Sequence, residues 1–202
     1  MASTPDRIVL ASASAARAAL LRAAGVEFAV DAAAVDEAPL KRQMHAAGEP
    51  AIACAMGLAV EKARSVSTRH PDALVIGADQ ILALGRDWFD KPADLREVRT
   101  QLQRLRGRTH TLATAACVVW AGETLWTGTS LPELTARGFS DSFIDGYVAA
   151  EGESLLGSVG AYRLEGRGVQ LFSRVDGDHF AILGLPLVEL FGFLRERGAL
   201  PQ

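Results

Sequence analysis

The chain has 202 residues, 49% of them hydrophobic and 22% charged, enough to bury a full core and ordinary for a soluble globular protein. Its net charge of −3 excludes the broad basic field by which proteins hold nucleic acid or an anionic membrane, so a phosphate ligand would need positive charge supplied locally. No apolar run reaches the roughly 18 residues of a membrane span, and Met1 to Arg7 lacks the basic-then-apolar layout of a signal peptide. Cys54 and Cys117 are too few and too isolated for a disulfide framework or a thiolate metal site, and read as buried reduced thiols of a cytoplasmic protein.

Arg7-Ile8-Val9-Leu10-Ala11 predicts a short buried strand. Ser12-Ala13-Ser14 reads as a turn with capping chemistry, and Ala15 to Ala24 as a helix stopped by Gly25. Phe28 to Val35 reads as a second strand that delivers Asp36-Glu37 to its end. Pro50 to Arg69 carries a long helix, with Ile52, Met56, Ala59, Ala63 and Val66 at helical spacing.

Ala73 to Ala78 reads as a buried strand ending at Asp79, and Gly85-Arg86-Asp87 as a hairpin turn with Trp88-Phe89 on the returning arm. Leu95, Val98, Leu102 and Leu105 define an amphipathic helix closed by Gly107. Thr109 to Trp120 and Thr124 to Thr135 read as paired strands, and Ser140 as the cap of a helix carrying Phe143, Ile144, Tyr147 and Val148. Val169 to Val175, Asp176-Gly177 and His179 to Leu183 read as a hairpin, and Pro186 as the first residue of a last helix ended by Gly198.

No repeat, low-complexity segment or linker interrupts the chain, so residues 1–202 are expected to form a single domain, with two lobes allowed. Strands and helices mix without the βαβ rhythm of a doubly wound fold. The expected class is α/β, a mixed β-sheet flanked by helices.

Asp79 is the first candidate for chemistry. An acid at the end of an apolar strand is costly to bury, and ligands of open α/β sheets collect at strand carboxyl ends; the bland reading is a turn cap. Arg17 falls in the first turn of its helix, where a cation opposes the helix dipole. Either it is simply solvated, or it meets an anion there together with backbone N–H groups and the hydroxyls of Ser12 and Ser14. Lys62 lies on an apolar row, four residues after Leu58 and four before Val66, and either snorkels to water or directs its ammonium into a cleft. Lys91, fixed by Pro92, emerges at a loop.

Two acids, Glu37 and Asp79, and three cations, Arg17, Lys62 and Lys91, thus fall at element edges. Magnesium binds one or two carboxylates plus substrate phosphates, and cations stabilise charge building on a phosphoryl group, so the set suits metal-assisted attack on a polyphosphate. His45, His70, His110 and His179 show no metal-ligand spacing and read as loop or hydrogen-bonding residues.

Leu10-Ala11-Ser12-Ala13-Ser14-Ala15-Ala16-Arg17, Val35-Asp36-Glu37, Glu61-Lys62-Ala63, Gly77-Ala78-Asp79 and Lys91-Pro92 stand in the order of the Maf family's motifs. Gly107-Arg108-Thr109-His110, Gly160-Ala161-Tyr162 and Gly184-Leu185-Pro186-Leu187 continue the match, so the whole chain resembles that family. The resemblance implies a fold like that of the inosine triphosphate pyrophosphatases, two lobes around a central cleft, and a homodimer. It implies hydrolysis of nucleoside triphosphates to the monophosphate and pyrophosphate, assisted by a divalent metal cation: Mg²⁺, with Mn²⁺ or Co²⁺ as alternatives.

By the same resemblance Asp79 takes the place of the proton acceptor, and Ser12, Arg17, Glu37, Lys62 and Lys91 align with polar cleft residues. Lys62 and Lys91 are grouped with Asp79 as catalytic, Glu37 and Asp79 as metal-holding, and Ser12, Ser14, Arg17, Gln80 and Glu165 as substrate-binding. Gln80 and Glu165 look more like the branch acting on 7-methyl-GTP than the branch acting on dTTP and UTP. Ser14-Ala15-Ala16-Arg17 departs from the usual Ser-Pro-Arg-Arg, and Gly157-Ser158 stands where a lysine often does.

The function expected is removal of modified or non-canonical nucleotides, with nucleoside triphosphate as the partner, no nucleic acid or membrane, and a possible link to arrest of cell division. The alternatives are a non-catalytic nucleotide-binding regulator of septum formation and a phosphomonoesterase.

Overall fold

The computed structural model describes residues 7–202. Met1 to Asp6, on which most of the signal-peptide reading falls, lie outside the described residues. In chain order the first elements are β1 (Arg7–Leu10), α1 (Ala15–Ala23), β2 (Ala29–Val30), α2 (Glu37–Ala46), α3 (Ala51–Ser67), β3 (Ala73–Leu84) and β4 (Asp87–Phe89). There follow α4 (Leu95–Leu105), β5 (Thr109–Trp120), β6 (Glu123–Ser130), β7 (Glu133–Ala136), α5 (Asp141–Glu151), β8 (Phe172–Asp176), α6 (His179–Ile182) and α7 (Leu187–Glu196). Short 3₁₀ turns fill much of the stretch between α5 and β8. No helix among the described residues is long and apolar enough to cross a membrane.

The chain divides into two compact units. One comprises the described residues up to Gln80, Thr114–Ser130 and Asp178–Gln202; the other comprises Ile81–Ala113 and Leu131–Gly177. Strands β3 and β5 each contribute to both.

In the first unit β1 pairs in parallel with β2 and with β3, in register from Arg7↔Ala73 to Leu10↔Ile76, and β6 pairs antiparallel with β5. Side chains alternate across a strand, and β3 uses both faces. Leu74, Ile76 and Ala78 share a core with Ala18 and Leu21 of α1 and with Leu187, Leu190 and Leu194 of α7. Ala73 and Val75 share a second core with Ala59, Ala63 and Val66 of α3. A strand covered on both sides needs apolar residues without alternation, which explains the run Ala73-Leu74-Val75-Ile76.

In the second unit β4 returns along the end of β3 through the two-residue loop Gly85-Arg86, with Leu84 opposite Asp87. The start of β5 pairs antiparallel with β7, and β7 with β8. Helix α4 is capped by the Asp94 carboxylate, which accepts the N–H groups of Arg96 and Glu97, and buries Val98, Leu102 and Leu105.

The mixed sheet flanked by helices agrees with the sequence, and five elements differ. The second strand is only Ala29–Val30, and Asp36 instead caps α2, accepting the N–H of Ala38, so Glu37 opens a helix rather than closing a strand. Strand β3 does not end at Asp79 but continues to Leu84, because its far end pairs with β4. The stretch Thr124 to Thr135 divides at Leu131-Pro132 into β6 and β7, proline being unable to donate to a ladder. The last expected hairpin is absent: Asp178 accepts the N–H groups of Phe180 and Ala181 and starts α6 instead. Pro186 stands at the cap position of α7, one residue before the helix begins.

Candidate active site

Asp79 lies inside β3 yet past the end of its parallel neighbour, since the β1 ladder stops at Leu10 opposite Ile76. The carboxyl-end argument therefore applies to β1, and the acid is buried all the same, with 5% of its surface exposed. Two residues from Gly77 and four from Val75, it shares their face of β3, the one covered by α3.

From α3 the ammonium of Lys62 crosses to it. Nζ donates to Asp79 Oδ1 at 2.5 Å and pairs with Glu37 Oε1 at 2.7 Å. Lys62 does not snorkel; its side chain is only 12% exposed, and it binds two carboxylates carried by a strand and a second helix. Glu37 is pinned at its other oxygen, Oε2, by Lys41 one turn along α2 at 3.0 Å. Burial pushes the Glu37 carboxyl up, but Lys62 and then Lys41 outweigh it and hold it at about 2. Lys41 is not among the expected site residues; its signal in the sequence is the Asp36 cap followed by an i,i+4 acid–lysine pair.

Asp79 Oδ2 is buried and has no hydrogen-bond partner among the described residues. A buried carboxylate oxygen left without a donor costs its full desolvation, so this atom is one that a water, a substrate group or a cation would satisfy.

Arg17 is buried rather than solvated. Its Nε donates to Gly184 O at 3.0 Å, and its Nη1 donates to Ala78 O at 2.9 Å and to Ser12 Oγ at 3.1 Å. These bonds use Nε and Nη1 only, and Nη2 enters none of them. Burial lowers its pKa from the ordinary arginine range, opposed by Asp79 and then Glu37. The hydroxyl of Ser14 caps α1 by accepting the N–H of Arg17 at 3.4 Å, and that of Ser12 accepts the N–H of Ser14 at 3.2 Å. Arginine, two serines and the open N-terminus of α1 thus form one connected group beside the β3 backbone.

Gln80 faces the other way from Asp79. Its amide nitrogen lies 2.8 Å from Thr114 Oγ1, 3.0 Å from Ala181 O and 3.1 Å from Ile182 O. The nitrogen is occupied by the protein's own acceptors, which leaves Oε1 as the atom a substrate could use.

Lys91 and Glu165 belong to the second unit. Lys91 is exposed just after β4, and Glu165 lies in an exposed turn where Arg163 Nε donates to it at 3.1 Å. In the same unit His110 Nε2 lies 2.8 Å from the Tyr162 hydroxyl, and burial drives the imidazole down to about 4. His70 pairs with Asp31 at 2.8 Å, so both act as the hydrogen-bonding histidines expected. Cys54 and Cys117 are free, buried thiols, and burial pushes Cys117 up to about 12.

No cluster of three or more His, Cys, Asp or Glu fit to hold a metal occurs among the described residues. The oxygen donors are instead two carboxylates joined through one lysine, with Asp79 Oδ2 unpartnered. That is a donor set of the size Mg²⁺ takes when substrate phosphates complete its sphere, so the residues fit such a cation.

The family model of Maf-like protein matches residues 7–197. The chain is 52% identical over 192 residues to a nucleoside triphosphate pyrophosphatase of Paramagnetospirillum magneticum, covering 95% of this chain and 99% of that one. It is 48% identical over 194 residues to a protein of the same name from Granulibacter bethesdensis, covering 96% and 98%. It is 46% identical over 193 residues to a 7-methyl-GTP pyrophosphatase of Rhizobium meliloti, covering 96% of this chain and 97% of that one.

Proposed function

The chain belongs to the Maf-like family, and on that premise we propose that it is an enzyme, a nucleoside triphosphate pyrophosphatase that cleaves between the α- and β-phosphorus atoms. The observation that carries the reading is the pairing of a buried Asp79 oxygen, unpartnered among the described residues, with a lysine bridge to a second acid. Binding a nucleotide needs the cations; an acid held beside them serves to activate water.

In this reading water attacks the α-phosphorus. Asp79 accepts its proton through Oδ2, while Lys62 holds Oδ1 and fixes the plane of the carboxylate. Arg17, with Nη2 outside its internal bonds, meets phosphate oxygens together with Ser12, Ser14 and the start of α1. Glu37 and Asp79 would hold the divalent cation, Mg²⁺ before Mn²⁺ or Co²⁺, which neutralises charge on the phosphate oxygens when bound. Gln80 contributes its Oε1 to the substrate. Lys91, as a further cation against pyrophosphate, and Glu165, as a reader of the base, enter on the family resemblance alone.

The substrate class is modified nucleoside triphosphates, 7-methyl-GTP among them, as the name of the Rhizobium relative suggests. We further read residues 1–202 as one functional domain, since the family match runs through both units, and a cytoplasmic homodimer as its working form. Phosphate released from triphosphates, with and without added inorganic pyrophosphatase, tests the reading. Signal that requires the auxiliary enzyme is expected. Signal without it would identify a phosphomonoesterase, and none would identify a binding protein.

A further inference from the structure

We propose that Gly77 is a positioning residue whose missing side chain sets the closeness of α3 to β3, and with it the contact between Lys62 and Asp79. The inference rests on the reading of Lys62 and Asp79 as parts of the reacting site.

A Cβ built on Gly77 would stand 2.1 Å from the carbonyl oxygen of Ala59 and 2.7 Å from the Cβ of Ala63. Ordinary carbon–oxygen contacts begin near about 3.3 Å, so the helix backbone would have to withdraw by about 1 Å. Neither neighbour can yield alone, because one is backbone and the other is the first atom of a side chain. Both Ala59 and Ala63 are fully buried against the strand. Glycine at position 77 and alanines at 59 and 63 therefore form a helix–strand contact too close to admit a side chain on the strand.

The consequence for chemistry follows from chain geometry. Asp79 is two residues from Gly77 and on the same face of β3, and Lys62 directly precedes Ala63 on α3. A helix lifted at Ala59 and Ala63 carries Lys62 away from a partner it now meets at 2.5 Å. The stem of a lysine can follow such a shift, but not while it keeps Glu37 Oε1 at 2.7 Å as well. One added methyl group thus separates the ammonium from one of its two acids. Misplacement of this size at a reacting centre costs on the order of 100-fold in rate.

The test measures kcat and KM for Gly77→Ala and for Ala63→Val, which presses on the same contact from the helix side. Each is made alone and combined with Lys62→Met, with unfolding followed by circular dichroism. Each single variant is expected to fold, to lose about 100-fold in kcat, and to change KM by less than about threefold. In the Lys62→Met background either substitution should cost less than about threefold further, since the contact it disturbs is already gone. Losses that multiply with that of Lys62→Met would make the effect a general structural one and overturn the proposal. So would unchanged kcat, or failure of both variants to fold. If Lys62→Met alone leaves turnover intact, the reading of the site fails; if it abolishes turnover while Gly77→Ala does not, only the positioning role fails.

Discussion

Lys62 on α3 and Asp79 on β3 are joined by a 2.5 Å hydrogen bond that uses one oxygen of the acid and leaves the other buried without a donor among the described residues. A single contact thereby fixes the orientation of the carboxylate and keeps its second oxygen for a ligand. Replacing Lys62 by methionine retains the apolar stem and removes the ammonium. Turnover should fall at least about 100-fold, and stability by about 3 kcal/mol, because the buried Asp79 carboxylate would lose its ammonium while Glu37 kept only Lys41. Steady-state kinetics and urea unfolding of the same preparation check both.

Arg17 and Arg22 stand on the same helix and separate local from diffuse electrostatics. Arg22 is exposed, with its guanidinium 5.5 Å from the Phe28 ring centroid, whereas Arg17 is tied to Gly184, Ala78 and Ser12. Arg17→Lys should raise the inhibition constant of pyrophosphate at least about tenfold, since an ammonium lacks the forked geometry of these bonds. Arg22→Lys should leave it unchanged. Equal effects of the two would remove Arg17 from the phosphate site.

Gly184 has a φ of 108°, and a Cβ there would lie 3.0 Å from Arg17 Nε. Alanine would be strained by its backbone angle whatever the space around it, at a cost of about 1–3 kcal/mol. It would also displace the arginine. Gly184→Ala should therefore lower the thermal midpoint and weaken pyrophosphate inhibition together, measured by differential scanning fluorimetry with and without pyrophosphate.

His110 predicts an acid-dependent loss of stability. The folded imidazole titrates at about 4, and an unfolded one near 6.5. Between these values the unfolded chain binds a proton that the folded chain does not, so stability falls as pH drops from about 6.5 to about 4. The full effect is about 3 kcal/mol. Unfolding free energies across this window should converge between wild type and His110→Gln as pH falls, because the variant has no such group to titrate. A constant difference would exclude the linkage.

Glu165 bears on the choice of base. A carboxylate accepts hydrogen bonds but cannot donate them, which suits the N1–H and N2–H₂ edge of guanine. It also suits a base made cationic by N7-methylation. Glu165→Gln should reduce activity on guanine-type and N7-methylated triphosphates more than on pyrimidine triphosphates. A panel of both classes checks this, and equal losses on all members would remove Glu165 from base recognition.

The sequence makes legible those elements whose periodicity is strong or whose caps are explicit. Helix α4 is legible from its exposed start at Leu95 to its end at Leu105, and β5 over its full length. Helix α2 was missed because Glu37 to Ala46 buries no residue, so no apolar stripe announces it. With it went Lys41 and the role of Glu37 as the opening residue of a helix. Helix α6 was hidden by Asp176-Gly177, a dipeptide typical of hairpins, whose claim the Asp178 cap overrides. The bridge from Lys62 to Glu37 and Asp79 joins three consecutive elements at residues 25 and 17 positions away in the chain. Spacing on one helix reveals only that a lysine lies on an apolar row, and which acids it meets is decided by how α2, α3 and β3 pack. The closeness forced at Gly77 is likewise invisible without the opposing alanines.

The most direct measurement is hydrolysis of a nucleoside triphosphate in ¹⁸O-labelled water, with the products separated and weighed by mass spectrometry, for wild type and for Asp79→Asn. Attack at the α-phosphorus with Asp79 as proton acceptor predicts one ¹⁸O atom in the monophosphate, none in pyrophosphate, and a rate at least about 100-fold lower in the variant. Label in pyrophosphate or orthophosphate, or a variant within about tenfold of wild type, would contradict it.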